Sequence, residues 1–312
     1  MINIDNILTE AILENGTYKY AEAFRLIRLY AEPHRYYHTW KHIKTMLDRS
    51  EELGIASDRL SLAILFHDII YDPRSSTNEE DSANLFKSYI DDSEIYQAIL
   101  DTKTHKPSSK LSEDLIRLDL EVLQSDLGTF MEFEEGIFKE YQFIDYKAYK
   151  EKRIEVLTKL GTKQENIDYV ANRKPKIGLY AGSFNPFHKG HWNILQKAEQ
   201  IFDKVIVAKG CNPDKDNEVL YDFPKSLFYH QTRTYTGLLT DFIDRLSYEV
   251  TLIRGLRDSK DLDYELTQYR FLQDLKKDIK VVNIFCDREF NHISSSAIRT
   301  LQKYGKGEEY LA

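Results

Sequence analysis

Apolar positions recur at helical spacing through the first half of the chain. Tyr20, Phe24, Ile27 and Ala31 fall on one helical face, as do Ile43, Met46 and Leu47. Leu60 and the run Leu62–Phe66 are apolar almost all round, which predicts a central helix packed on every side. Further helical patterns run over 78–91, 93–103, 111–124, 127–141 and 145–160. The stretch GTKQENIDYVANRKPK, residues 161–176, is polar and ends in a basic, proline-containing segment, as linkers do. Beyond it the pattern shortens. Ile177–Ala181, Lys204–Ala208, Thr234–Leu238, Val250–Ile253 and Val281–Phe285 read as short buried strands, with helices over Ile194–Phe202 and Leu262–Leu275. The expected architecture is an all-α domain over 1–165, a linker over 166–176, and a doubly wound α/β domain with a parallel sheet over 177–312.

Composition supports this division and narrows the function. Only five of the 13 glycines precede residue 173, and helices disfavour glycine while strand-to-helix turns use it. With 42% apolar and 30% charged residues, the chain can bury a core. A net charge of −8 argues against bulk binding to nucleic acid or to anionic membranes. No apolar run approaches the ~20 residues that span a bilayer, and MINIDNILTEAILENG lacks the basic and apolar regions of a signal peptide. Two cysteines, Cys211 and Cys286, suit a reducing compartment, so a cytoplasmic protein is expected.

Three motifs of the α/β half suggest phosphate chemistry. GSFNPFHKGH, Gly182–His191, follows the first strand and opens a helix, whose N-terminal amides form a ready anion site. Gly190 lets a phosphate approach the backbone, and His188 and His191, three apart, can face one spot. LIRGLRDSKDLDYE places Arg254 and Arg257 around a turn at the carboxyl end of a strand, where open α/β folds bind ligands. Glu265 lies on the helix after it. HISSSAIR places Ser294, Ser295 and Ser296 at a helix start, with Arg299 one turn later on the same face. Lys215 in NPDK adds a loop cation.

Together these motifs resemble the HxGH nucleotidyltransferase superfamily over about residues 176–305, and LIRGLRDSKDLDYE resembles phosphopantetheine adenylyltransferases. The resemblance implies a Rossmann-like fold and adenylyl transfer from ATP, with Mg²⁺, to 4′-phosphopantetheine. It implies His191, His188, Arg257 and Lys215 as catalytic residues. Gly182, Ser183, Phe184, His191, Arg257, Glu265, Ser294–Ser296 and Arg299 would hold ATP; Ser183, Lys215 and Arg254 would hold phosphopantetheine. His188 and GSFNPFH are more similar to nicotinamide mononucleotide adenylyltransferases, which keeps that acceptor open. The segment Leu220–Tyr235 is shorter than the helix-bearing segment of the family, which keeps open a nucleotide-sensing module with one inactive domain.

The helical half holds five of the nine histidines: His34, His38, His42, His67 and His105. His38 and His42 in YHTWKHI are four apart, as on one helix face. His67–Asp68 sits within LAILFHDIIYD, and Asp119 within LIRLDLEVL, so polar groups fall where apolar ones are expected and need a partner. A metal ion supplies one, and such ligands suit Mn, Fe, Co, Zn or Mg and water activation at neutral pH. The H…HD…D arrangement resembles the HD superfamily of metal-dependent phosphohydrolases over about residues 20–155. The resemblance implies His42, His67, Asp68 and Asp119 as ligands, with His38 as the alternative first ligand. His105, Glu79 and Glu80 would bind phosphate or orient water, and Arg35 and Lys103 would neutralise substrate phosphate. The sequence thus reads as a bifunctional enzyme with an HD-type all-α domain and a Rossmann-like α/β domain. Small molecules are its expected partners, not nucleic acid or membrane, and a homo-oligomer is left open.

Overall fold

The computed structural model describes residues 25–211 and 221–312. Tyr20, Phe24 and Lys215 therefore lie outside the described residues. The chain divides into two compact units, one of residues 1–140 and 156–169, the other of residues 141–155 and 170–312. This differs from the expected boundary at one place: residues 141–155 belong with the α/β unit. Part of the expected linker is also ordered, as the helix Gln164–Asn172.

The helical unit begins with residues 25–29 in helical conformation. It continues through α1 (Trp40–Glu52), α2 (Asp58–Phe66), α3 (Asn78–Tyr89), α4 (Ser93–Thr102), α5 (Lys110–Leu120) and α6 (Leu127–Glu140). Two further helices are each shared between the units by residue, α7 (Tyr146–Lys159) and α8 (Gln164–Asn172). Helix starts are set by side chains that accept the orphan amides of the first turn. Ser57 accepts from Leu60, Asp92 from Glu94 and Ile95, and Ser109 from Ser112. As its all-round apolarity predicts, α2 is buried from Leu60 to Phe66 and lies in a core with Ile43, Phe86, Ile99 and Leu115.

The α/β unit is built on five parallel strands: β1 (Ile177–Gly182), β2 (Lys204–Cys211), β3 (Gln231–Thr236), β4 (Thr251–Leu256) and β5 (Lys280–Phe285). Their order is β3-β2-β1-β4-β5. The connections leave β1 in opposite directions, toward β2 and toward β4, so a crevice opens at the carboxyl ends of these strands. Helices α9 (Lys189–Ala198), α10 (Leu239–Asp244), α11 (Ser259–Leu275) and α12 (Ser295–Gln302) complete the unit. The third strand starts three residues before its expected position, and α9 starts five residues before its own, because the apolar runs mark the buried part of each element and not its ends. Helix α10 has no counterpart in the sequence reading: its six residues are too few to show a helical period.

One of the polar residues buried in this unit is a lysine at the start of a central strand. Lys204, at the start of β2, is 1% exposed, and its ammonium donates to the Gln142 carbonyl. Burial pulls its pKa down to about 7 from 10.5, outweighing the nearby Asp145 carboxylate. Between these values the unfolded chain binds the extra proton, so folding stability rises with pH. We expect urea midpoints to increase from pH 7 toward 10.5, with up to about 1.4 kcal/mol per pH unit coming from this lysine. Lys204→Met should flatten that rise, and equal slopes for both proteins would refute the assignment.

Candidate functional site

In the α/β unit, β1 runs directly into the loop that carries the histidine motif. Phe184 adopts a left-handed backbone with φ 43°, which turns the chain back, and its ring lies over Gly182. A Cβ at Gly182 would stand 2.9 Å from that ring, so the position requires glycine. His188 then caps α9, and the His188 and His191 rings stack at 3.6 Å. The ring of His188 occupies the space over Gly190, where a Cβ would be 3.1 Å from it. That space is the approach the sequence reading assigned to a phosphate.

The backbone N–H of His188 donates to His191 Nδ1 at 3.2 Å. In neutral His191 the proton therefore sits on Nε2, which is left as a donor. Burial first, and then Arg257, lowers the His188 pKa to about 4. Burial, His188 and Arg257 together hold His191 well below its ordinary value. Both rings are accordingly neutral at pH 7, the state in which Nε2–H can donate to an anion without a charged imidazolium being desolvated.

A cleft of about 420 Å³ at the carboxyl ends of the strands collects most of the expected residues: Gly182–Phe184, His188, His191, Arg254, Arg257, Glu265, Ser294–Ser296 and Arg299. Their individual contacts refine the expected roles. Arg254 forms a two-point pair with Glu265 at 2.7 and 2.6 Å and donates to the Ala181 carbonyl at 3.0 Å. The sequence reading gave these two residues to different substrates, but here each is the other's partner. Arg257 is likewise held by Asp261, through two 2.9 Å bonds, and Asp261 also takes the Arg257 backbone N–H. Ser294 caps α12 by accepting from Ala297, Ser295 donates to the Pro186 carbonyl, and Arg299 donates to that of Asn185. Ser295 and Arg299 thus fasten the start of α12 to the histidine loop. The sequence offers Asp258, Asp261 and Asp263 as partners for the two arginines, and the structure pairs Arg257 with Asp261, four residues on.

In the helical unit, one donor atom from each of His42, His67, Asp68 and Asp119 lies within 4.8 Å of the others. The structure brings the four together but not by the expected local geometry. His67 caps the end of α2 and Asp68 lies in the turn after it, so the doublet is not inside a helix. His38 precedes α1, whose cap is Thr39, and it is not one of the four. The physical reason is Glu140, at the end of α6, which takes His38 for itself.

Glu140 has no exposed side chain. One oxygen accepts the N–H groups of Tyr36, Tyr37 and His38 at 2.7 to 2.9 Å. The other accepts from His38 Nδ1 at 2.6 Å and the Tyr71 hydroxyl at 2.8 Å. Burial alone would raise its pKa; His38 and these bonds outweigh burial and lower it from 4.5 to about 2. Burial opposes charge on His38 too, yet Glu140 and then Asp68 raise its pKa. His38 Nε2 reaches to 3.9 Å from Asp68. Glu140 was missed in the sequence, although it continues the stripe Phe130, Phe133, Ile137 with an acid at an apolar position.

The four-donor cluster needs a cation. His67 Nδ1 bonds the Ile64 carbonyl at 2.8 Å, so in the neutral ring Nε2 presents a lone pair. That Nε2 faces Asp68 at 3.0 Å and His42 Nε2 at 3.4 Å, while His42 Nε2 is 3.3 Å from Asp119. Lone pairs this close are tolerated only around a proton or a metal ion. Burial alone would lower the His67 pKa, but Asp68 and Asp119 hold it well above its ordinary value. Burial would raise both carboxylates, but the histidines hold both well below theirs. The mixed imidazole and carboxylate set fits a divalent ion.

The accessory residues fare differently. Arg35 is buried and spends its donors on the Glu32 carboxylate and the carbonyls of His38, Asp68 and Ile69, at 2.8 to 3.1 Å. Four of its five N–H donors are thus committed and its side chain has no exposed surface, so it is not placed to meet a phosphate as expected and instead ties the His38 segment to the His67–Asp68 turn. Lys103 is engaged by Glu80 at 2.6 Å and by the Ser76 carbonyl. None of Lys103, Glu79, Glu80 and His105 is among the clustered donors.

Two comparisons with known proteins bear on these sites. The cytidylyltransferase-like family model matches residues 179–234, which span β1, the histidine loop and most of β3. The chain is 32% identical to a phosphopantetheine adenylyltransferase of Clostridium tetani over 141 residues, 41% of this chain and 85% of that protein. It is 36% identical to those of Mycoplasma capricolum, with 99% of that protein covered, and Cytophaga hutchinsonii, with 91% covered. No helix among the described residues is long and apolar enough to cross a membrane.

Glu140→Gln should cost about 3–5 kcal/mol at pH 7, because it removes one member of a buried ion pair. The folded pKa is depressed, so the stabilisation is complete above pH 4.5 and lost as pH falls toward 2. Denaturant titrations should show a steeper loss in the wild type than in the variant across this window.

Proposed function

Because the chain belongs to the phosphopantetheine adenylyltransferase family, we propose that its α/β unit transfers the adenylyl group of ATP to 4′-phosphopantetheine. The products are dephospho-CoA and pyrophosphate. The observation that carries the reading is the neutral, stacked His188–His191 pair, with a donor on His191 Nε2, in the cleft at the sheet's carboxyl edge. A phosphate oxygen of the acceptor attacks the α-phosphorus, and the bond to the β-phosphate bridging oxygen breaks, with pyrophosphate leaving as the anion. His191 Nε2–H donates to an α-phosphoryl oxygen as charge builds there. The Ser294–Ser296 start of α12 offers hydroxyl and amide donors to the β- and γ-phosphates. Arg257 joins them by exchanging one Asp261 oxygen for a phosphate oxygen, at little cost for a half-exposed pair. Arg254, locked to Glu265, fixes the position of α11 against β4 and presents that pair to the acceptor. Lys215, on the segment between β2 and β3, serves as a further cation for the acceptor phosphate. Mg²⁺ arrives with ATP as part of the substrate.

For the helical unit we propose metal-dependent hydrolysis of phosphate monoesters, with His42, His67, Asp68 and Asp119 holding the ion. The support is the convergence of two imidazole lone pairs and two carboxylates that require a cation. A bound divalent ion would activate water and polarise the phosphoryl group. His38, oriented by Glu140, holds a proton on the Asp68 side of the cluster.

Pyrophosphate should be released from ATP with phosphopantetheine and not with nicotinamide mononucleotide. His191→Ala should lower kcat by about 10²–10³, the usual cost of one donor to developing charge. Release with nicotinamide mononucleotide alone would transfer the assignment to that acceptor, and tight ATP binding without pyrophosphate from either would favour a nucleotide sensor. Separately, Mn²⁺-loaded protein should release phosphate from monoesters and Asp68→Ala should not; equal release by both would remove the metal from the account.

A further inference from the structure

A second cavity, of about 500 Å³ and within the helical unit, opens directly beside the four-donor cluster: His42 and Asp119 form part of its wall. Much of the remaining wall is apolar, from Tyr37, Met46, Leu118, Val122 and Phe133. The Tyr37 ring stands 4.7 Å from His42 and meets Phe133 edge-on at 4.6 Å, which makes a continuous aromatic surface leading from the cluster. A cavity of this volume accommodates a ring system or a branched aliphatic group.

Two cations line the same cavity, and neither leaves it positive. Arg49 is held by Glu121 at 2.8 and 2.9 Å and by Glu52 at 2.8 Å. Lys41 lies 3.7 Å from Glu132. Glu121 and Glu132 are themselves in the wall, and Asp119 adds a third carboxylate. A ligand with further phosphates beyond the one at the cluster could take Arg49 or Lys41 only by displacing their carboxylates, and Asp119, Glu121 and Glu132 would then outnumber the two cations around it. An uncharged aromatic or aliphatic group would meet matching surface.

We propose that this cavity selects the substrate of the helical unit: a phosphate monoester whose alcohol portion is uncharged and carries an aromatic ring or a branched aliphatic body. Its single phosphate faces His42, His67, Asp68 and Asp119, and the alcohol portion lies along Tyr37 and Phe133. This rests on the phosphohydrolase reading. In the reaction, the oxygen of water bonds to phosphorus, the ester P–O bond breaks, and the departing alcohol oxygen takes the proton that water loses.

The test uses the full chain with two probes, 1-naphthyl phosphate and glycerol 2-phosphate. Calorimetric titration of chelator-treated protein should show at least tenfold tighter binding of the naphthyl ester. Phe133→Ala should erase that preference, and so should Val122→Asp, which places a charge at a half-exposed wall position and perturbs packing less. Phosphate release by Mn²⁺-loaded protein is measured in parallel. Equal binding of the two esters, or a preference unchanged in both variants, overturns the proposal even where both esters are hydrolysed. Preferential binding lost in the variants, without phosphate release, supports the cavity assignment and overturns the hydrolase reading instead.

Discussion

A carboxylate with no exposed surface organises the helical unit. Glu140 must find all of its compensation inside the protein, and it does so by drawing three successive amides, an imidazole and a phenol around itself. That arrangement fixes the chain just before α1, and with it the direction in which α1 sets out. His42 therefore enters the interior at a defined point, facing His67 and Asp119. Arg35 completes the constraint from the other side, because its buried guanidinium binds carbonyls of both the His38 segment and the His67–Asp68 turn. Two loops that carry ligand candidates are thus held in one register by a buried anion and a buried cation, each bound by several hydrogen bonds.

The four-donor cluster inherits its chemistry from this frame. Its two histidines and two carboxylates are closer than their charges and lone pairs tolerate unaided, so the site is built to hold a positive species. The α/β unit handles charge differently. In its cleft Arg254 is matched with Glu265 and Arg257 with Asp261, and burial keeps His188 and His191 neutral. The cleft there offers neutral donors and one exchangeable cation in place of a strong fixed field. Such a site suits a substrate that brings its own metal and its own charge.

Much of this was legible in the chain itself. Five strands and their carboxyl-end motifs follow from short apolar runs broken by Gly-Ser-Phe, Arg-Gly-Leu-Arg and Ser-Ser-Ser, since each motif is local and its backbone geometry is set by neighbours. The all-round apolarity of Leu60–Phe66 placed α2 at the centre for the same reason. His67, Asp68 and Asp119 stood out as polar residues in apolar surroundings, and His42 by its four-residue spacing from His38, the alternative first ligand. The partners of these groups did not. Glu140 is about 100 residues from His38, and nothing in local sequence ties an acid on one helix to an imidazole before another. Arg35 was expected to meet a substrate phosphate, and its burial depends on where the distant carbonyls of Asp68 and Ile69 end up.

The sequence by itself determined most of the elements and marked candidate residues on or beside them, because helical period, strand length and capping are short-range effects. Only the tertiary structure decided who pairs with whom. It assigned His38 to Glu140 rather than to the four-donor cluster, Arg254 to Glu265 rather than to a phosphate, and Arg35 to the backbone rather than to a substrate. Those choices follow from burial. Once a charged group leaves water it takes whatever opposite charge or dipole the packing brings within about 3 Å. That set of neighbours is a property of the assembled core, not of any segment within it.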